Sequence, residues 1–174
     1  RFFLATRFLC QLGEIEHADR GQHRKQTHEQ FVEHPIAVAK LISEEGLNGS
    51  ILAAAYLHDV VEKSEVEPAE IRERFGPEVA GMVDALTDDD SVEGYGERKR
   101  ALRHQVIGSS RDSVLIYAAD RVANMRDWRK VAPEQRTEIG ERLGTTLEER
   151  LDLWKEDLDE LGAYDPELPF LAEI

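Results

Sequence analysis

A chain of 174 residues that is 41% hydrophobic is long enough for one well-cored domain, and its net charge of −14 excludes the basic footprint that a nucleic-acid polymer needs. No apolar run approaches the roughly 18 residues of a membrane span, so no membrane partner is expected. Cys10 is the single cysteine, which rules out an internal disulfide and makes a reducing cytoplasm the default localisation.

The chain reads as all-α, a single helical domain over residues 1–174 with no internal repeat. Helices are predicted near 2–19, 34–46, 50–63, 68–75, 77–87, 96–108, 113–131 and 134–161. Glycine, proline and short polar residues punctuate them at Gly46 to Gly49, Gly76-Pro77, Thr87 to Gly96 and Gly108 to Ser110. Arg7 interrupts the apolar N-terminal segment RFFLATRFLCQLGEIE and no small-residue cleavage site follows, so it reads as a core helix and not a signal peptide. The last predicted helix carries Leu143, Leu147, Leu151, Trp154, Leu158 and Leu161 at spacings of 3 and 4. Such a stripe is a core face or a homodimer seam. Trp128 and Trp154 are expected to pack rather than to stack on a base.

Charge is unevenly placed. Residues 134–174 hold 13 Asp and Glu against 4 Lys and Arg. Basic clusters lie earlier, at Arg20, His23, Arg24, Lys25 and His28, and at Arg98, Lys99, Arg100 and Arg103. Each is either a solvated helix face or a seat for a small anion such as a nucleotide phosphate. Asp88, Asp89 and Asp90 read as a solvated acidic loop.

Four residues carry the chemistry: His34, the doublet His58-Asp59, and Asp120. The segments Ile51 to Val61 (ILAAAYLHDVV) and Val114 to Asp120 (VLIYAAD) are nearly all apolar, yet each contains ionisable groups at or near its end. Burying such groups without compensation is costly. One divalent cation shared by two imidazoles and two carboxylates would compensate all four and leave coordination positions open for water and substrate. A nitrogen and oxygen set without thiolate suits Mn2+, Fe2+ or Zn2+. On a continuous helix Glu62 would stand one turn from His58, where a carboxylate can orient or deprotonate water; an ordinary exposed Glu is the other reading. Asn124, one turn from Asp120, would donate to a substrate oxygen or satisfy a buried backbone group.

The ordered segments GQHRK (21–25), EHPIAVAKLI (33–42), ILAAAYLHDVVE (51–62), RERFGPEVAGMVDALTDD (72–89), ERKR (97–100) and AADRVANMRD (118–127) resemble the HD-type hydrolase domain of RelA/SpoT alarmone enzymes and the stand-alone small alarmone hydrolases. The resemblance covers about residues 17–130; the acidic segment 134–161 adds no motif. It implies an HD-type helical bundle with a metal site between helices. His34, His58, Asp59 and Asp120 would be the ligands, and Mn2+ the usual metal. It also implies Arg24 and Lys25 along a bound nucleotide, Asn124 near the ribose, Arg98 and Lys99 on the phosphate side, and Glu62 as the first carboxylate of a hydrolytic pair. The activity implied is removal of a 3′-pyrophosphate from a guanosine alarmone.

Two positions and one segment depart from the pattern. Lys63 stands where the family has the second carboxylate, QTHEQFVE (26–33) lacks the family's Gly and Pro-Tyr, and Asp127 replaces a common Thr. Lys63 either offsets phosphate charge in catalysis or marks a weakly catalytic nucleotide-binding module. An HD phosphohydrolase acting on another small phosphate ester is the further alternative.

Overall fold

The computed structural model describes Ala5, Arg7, Phe8 and residues 25–174, with backbone only for 25–32. Among these residues every regular element is a helix, as expected. In chain order they are α1 (Lys25–Glu44), α2 (Ser50–Leu57), α3 (Val60–Lys63), α4 (Pro68–Phe75), α5 (Pro77–Leu86), α6 (Tyr95–Ile107), α7 (Arg111–Lys130), α8 (Pro133–Leu143) and α9 (Leu147–Tyr164). They fall into two compact units, Arg1–Thr87 and Asp88–Ile174.

In the first unit α2 packs against α1 and α5, and α4 packs against α5. Residues Ile51 to Ala55 and Leu57 are all buried, so α2 is apolar all round and serves as the unit's central helix. Val38, Ala39, Leu41 and Ile42 of α1 and Val79, Met82, Val83 and Leu86 of α5 belong to the same core. Of the N-terminal segment, Ala5 and Phe8 are helical and buried while Arg7 is exposed. Phe8 meets Phe75 edge-on at 5.6 Å, which fits a core helix there; the rest of that segment lies outside the described residues.

Two boundaries differ from expectation. Helix α1 is described from Lys25, so it does not start at His34 and carries Pro35 internally. Proline suits a first turn, which favours a start at 34, but a helix can also absorb the loss of one donor. The predicted helix 50–63 is divided after Leu57, with Asp59 at φ −94°, ψ −5° between α2 and α3. That conformation lies in the bridge region, where the helix tightens into a turn.

In the second unit α7 is the buried helix, solvent-shielded from Ser113 through Asp120. Ser110 caps it, its hydroxyl accepting from the Ser113 N–H at 3.1 Å. Helix α9 packs on α6, α7 and α8.

The predicted helix 134–161 is two helices. Gly144, at φ 67°, ends α8 in the left-handed region, and the Thr146 hydroxyl caps α9 by accepting from Glu149 N–H at 3.1 Å. The break also divides the expected leucine stripe. Leu143, Leu147 and Leu151 are 40%, 45% and 52% exposed, whereas its last member, Leu161, is buried on a face of α9 shared with Leu153 and Asp157. A Cβ on Gly140 would stand 2.8 Å from the Thr145 carbonyl oxygen, which has no flexible side chain to yield. Gly140→Ala is therefore expected to destabilise the second unit by about 1–3 kcal/mol in urea unfolding, the range for overpacking. An unchanged midpoint would mean that the α8–α9 turn relaxes freely.

Candidate metal and nucleotide site

The first unit brings together His34, His58 and Asp59. Because α2 ends immediately before it, His58 projects from the last turn of the central helix, only 4% exposed. Its Nδ1 donates to the Ala55 carbonyl at 2.8 Å, which in the neutral ring places the lone pair on Nε2. A backbone carbonyl holding one imidazole nitrogen so that the other can ligate is the usual arrangement behind a metal-binding histidine. That Nε2 faces Asp59 Oδ1 at 3.4 Å, and His34 Nε2 lies 3.9 Å from Asp59 Oδ2. The two rings tilt together with centroids 5.4 Å apart. Imidazole lone pairs and a carboxylate converging in this way call for a cation between them, so the donors fit a divalent metal.

Lys63, one turn along, places its ammonium on Asp59 Oδ2. The family's missing carboxylate is thus replaced by a cation that engages an expected ligand. Glu62 is exposed on α3. The helix break means that it does not stand on a continuous helix above His58, as the spacing suggested. Arg24 lies outside the described residues, and of Lys25 only the backbone is described, as the first residue of α1.

The second unit brings together Asp120, Arg121 and Asn124. Asp120, 6% exposed, ends the buried run of α7. Asn124 Nδ2 donates to its Oδ1 at 2.9 Å, and Arg121 donates to its Oδ2, from Nε at 3.1 Å. Asn124 therefore serves the carboxylate here and not a buried backbone group. Lys99 and Arg98 meet on Asp88, at 2.6 and 3.5 Å to Oδ2. Asp88 is thus the anchor of the basic pair and not part of a solvated loop, whereas Asp89 and Asp90 are exposed. Asp127 is exposed and pairs with Lys130 at 2.8 Å.

Arg100 and Arg103 are committed to carboxylates of α9. Arg100 donates twice to Glu156, at 2.9 and 3.0 Å. Arg103, 1% exposed, reaches Asp157 at 2.8 Å, Glu156 at 2.7 Å and Glu160 at 3.0 Å. Burial opposes the Arg103 cation, but its hydrogen bonds to Asp157, Glu156 and Glu160 outweigh that and hold its pKa above the ordinary value. Asp157 also accepts from the Tyr117 hydroxyl at 2.7 Å, and burial pushes that phenol well above its usual range. Trp128 and Trp154 pack edge to face at 6.1 Å with the Arg150 guanidinium over both rings, so packing is their role.

The Arg100 hydrogen bonds first, and those of Arg103 after them, hold the Glu156 carboxyl down at about 2, against an ordinary 4.5. A depressed folded pKa contributes stability that is present above the ordinary value and is lost as pH falls through the folded one. The wild type is expected to lose thermal stability more steeply than Glu156→Gln between pH 4.5 and about 2. Parallel curves of Tm against pH would show that the two arginines do not act on Glu156.

Comparison with known proteins places these units. A profile of the HD domain matches residues 10–153, and the chain belongs to the HD-domain family. A guanosine-3′,5′-bis(diphosphate) 3′-pyrophosphohydrolase of Vibrio cholerae is 33% identical over 157 residues, covering 82% of this chain and 22% of that protein. The Drosophila melanogaster MESH1 pyrophosphohydrolase is 40% identical over 111 residues, 62% of each chain. The chain spans only about a fifth of the length of the large bacterial relatives that it matches. The solved structure of a metazoan ortholog of SpoT, described as hydrolysing ppGpp, superposes with a TM-score of 0.69 at 29% identity. That match covers 96% of this chain and 90% of the other, so the fold is the helical HD fold.

Proposed function

We propose that the chain is a single HD-type domain acting as a metal-dependent phosphohydrolase on a guanosine alarmone-like nucleotide, releasing the 3′-pyrophosphate. The observation that carries this reading is the His34–His58–Asp59 cluster, with His58 held by the Ala55 carbonyl so that Nε2 is the ligating atom. Relatives named for guanosine-3′,5′-bis(diphosphate) hydrolysis support the substrate.

In this reading His34, His58, Asp59 and Asp120 hold one divalent cation, with Mn2+ preferred over Fe2+ or Zn2+; His34, His58 and Asp120 each offer one donor atom. The ion supplies Lewis-acid polarisation and activation of water. Glu62 orients the attacking water and takes its proton. Arg24, Lys25 and Lys63 offset phosphate charge as the bond between phosphorus and the 3′-oxygen breaks. Arg98 and Lys99 serve the phosphate side, and Asn124 the ribose. The partner is a small nucleotide and not a nucleic-acid polymer, which the net charge of −14 supports. No helix among the described residues is long and apolar enough to cross a membrane, and the lone cysteine favours a cytoplasmic setting. A homodimer would use the exposed Leu143, Leu147 and Leu151.

A second reading rests on Lys63, whose ammonium engages Asp59 where the family has a carboxylate. It makes the chain a catalytically weak nucleotide-binding module; an HD phosphohydrolase acting on another phosphate ester is the further alternative. Incubating Mn2+-loaded protein with ppGpp separates the readings. Metal-dependent release of pyrophosphate and GDP is the expected result. Binding without turnover would favour the module, and orthophosphate release from other nucleotides would favour the other hydrolase.

A further inference from the structure

We infer that Asp157 is a positioning residue for the metal ligand Asp120, acting through Arg121. The inference rests on the reading of Asp120 as a ligand. Asp157 lies on α9, beyond the segments that carry the family motifs, and occupies the middle of a buried Leu153–Asp157–Leu161 face. A carboxylate 2% exposed on such a face requires partners, and it has three. Arg103 and the Tyr117 hydroxyl donate to Oδ1, at 2.8 and 2.7 Å, while Arg121 Nη1 pairs with Oδ2 at 3.7 Å.

Arg121 spans the two carboxylates. Its Nε and Nη2 donate to Asp120 Oδ2, its Nη1 faces Asp157, and its guanidinium carbon lies 4.7 Å from the centre of the Tyr117 ring. A planar guanidinium fixed on one edge by Asp157 and on one face by Tyr117 presents its other edge in a set orientation. Asn124 fixes the opposite oxygen of Asp120. The carboxylate plane of Asp120 is thereby determined. Groups that orient a metal ligand in this way set affinity for the metal, and their loss costs about 10- to 100-fold.

The test is calorimetric titration of Mn2+ alone into the metal-free full chain. Asp157→Asn is expected to raise the Mn2+ dissociation constant about tenfold or more. Glu156→Gln, which loses contacts to Arg100 and Arg103 but touches nothing on Arg121, is expected to leave it unchanged. An unchanged constant in Asp157→Asn overturns the inference, as does an equal rise in Glu156→Gln. Should Asp157→Asn fail to fold, Tyr117→Phe carries the test: a smaller rise supports the relay, and no rise overturns it. Asp120→Ala separates the two levels of the reading. If that variant binds Mn2+ normally, Asp120 is no ligand and the relay falls with it. If it binds weakly while Asp157→Asn binds normally, the relay alone fails.

Discussion

Asp59→Ala is expected to abolish metal binding and, with it, hydrolysis. The carboxylate is the hub of the first-unit cluster, with His58 Nε2 3.4 Å from one oxygen and His34 Nε2 3.9 Å from the other. Losing a group that merely orients a ligand costs about 10- to 100-fold, so losing the ligand itself should exceed about a hundredfold in metal affinity and in rate. The fold should survive. Asp59 has a negative φ, so alanine meets no left-handed strain there, and its carbonyl keeps accepting from the Lys63 N–H at 3.0 Å. The lost ion pair with Lys63, whose side chain is 46% exposed, contributes only about 0–1 kcal/mol. Metal content by mass spectrometry, pyrophosphate release and Tm should therefore separate cleanly, the first two lost and the third nearly kept. A fully active variant would remove Asp59 from the ligand set.

Helix type was legible from periodicity almost throughout, and so was the isolation of His58 and Asp59 at the end of an apolar run. The physical signal is strong there, since an ionisable pair closing a buried helix must be compensated. Helix boundaries were less legible where local chemistry is ambiguous. Pro35 favours a helix start although α1 carries it internally, and Gly144-Thr145-Thr146 contains both a left-handed cap and a hydroxyl cap within a sequence whose leucine spacing runs straight through. Spacing alone selected Leu147 and Leu151, both exposed, and passed over Leu153, which is buried. The turn rotates the face that a continuous helix would have buried.

The second-unit network was invisible for a different reason. Arg100 and Arg103 read as a basic cluster, and the segment after 134 read as an acidic excess, without any sign that each answers the other. Their pairing spans 53 to 56 residues of chain and depends on α9 packing against α6, which no local pattern encodes. One signal was available. Asp157 stands four residues from Leu153 and four from Leu161, which places a carboxylate on an apolar helical face. Such a residue is either misplaced or paired, and here it gathers Arg103, Tyr117 and Arg121. Asp88 is the smaller instance: it reads as the first member of an acidic loop but serves as the anchor of Lys99.

Arg103→Met is expected to be the most destabilising single change in the second unit. The guanidinium is the largest fully buried side chain among the described residues, and it meets three carboxylates of α9. Removing one member of a buried ion pair costs about 3–5 kcal/mol, because the remaining charge stays buried without compensation. Here the lower end applies. Glu156 and Glu160 are about a third exposed and can turn to water, and Asp157 keeps Tyr117 and Arg121. Methionine fills most of the volume, so little of the loss comes from a cavity. Urea unfolding should show a fall of about 3 kcal/mol, and backbone amides of α9 should exchange faster than those of α7, since α9 loses its main tie to α6. A loss below about 1 kcal/mol, the worth of a surface pair, would mean that apolar contacts at Leu153 and Leu161 hold α9 in place and that the arginine is a passenger in its fold.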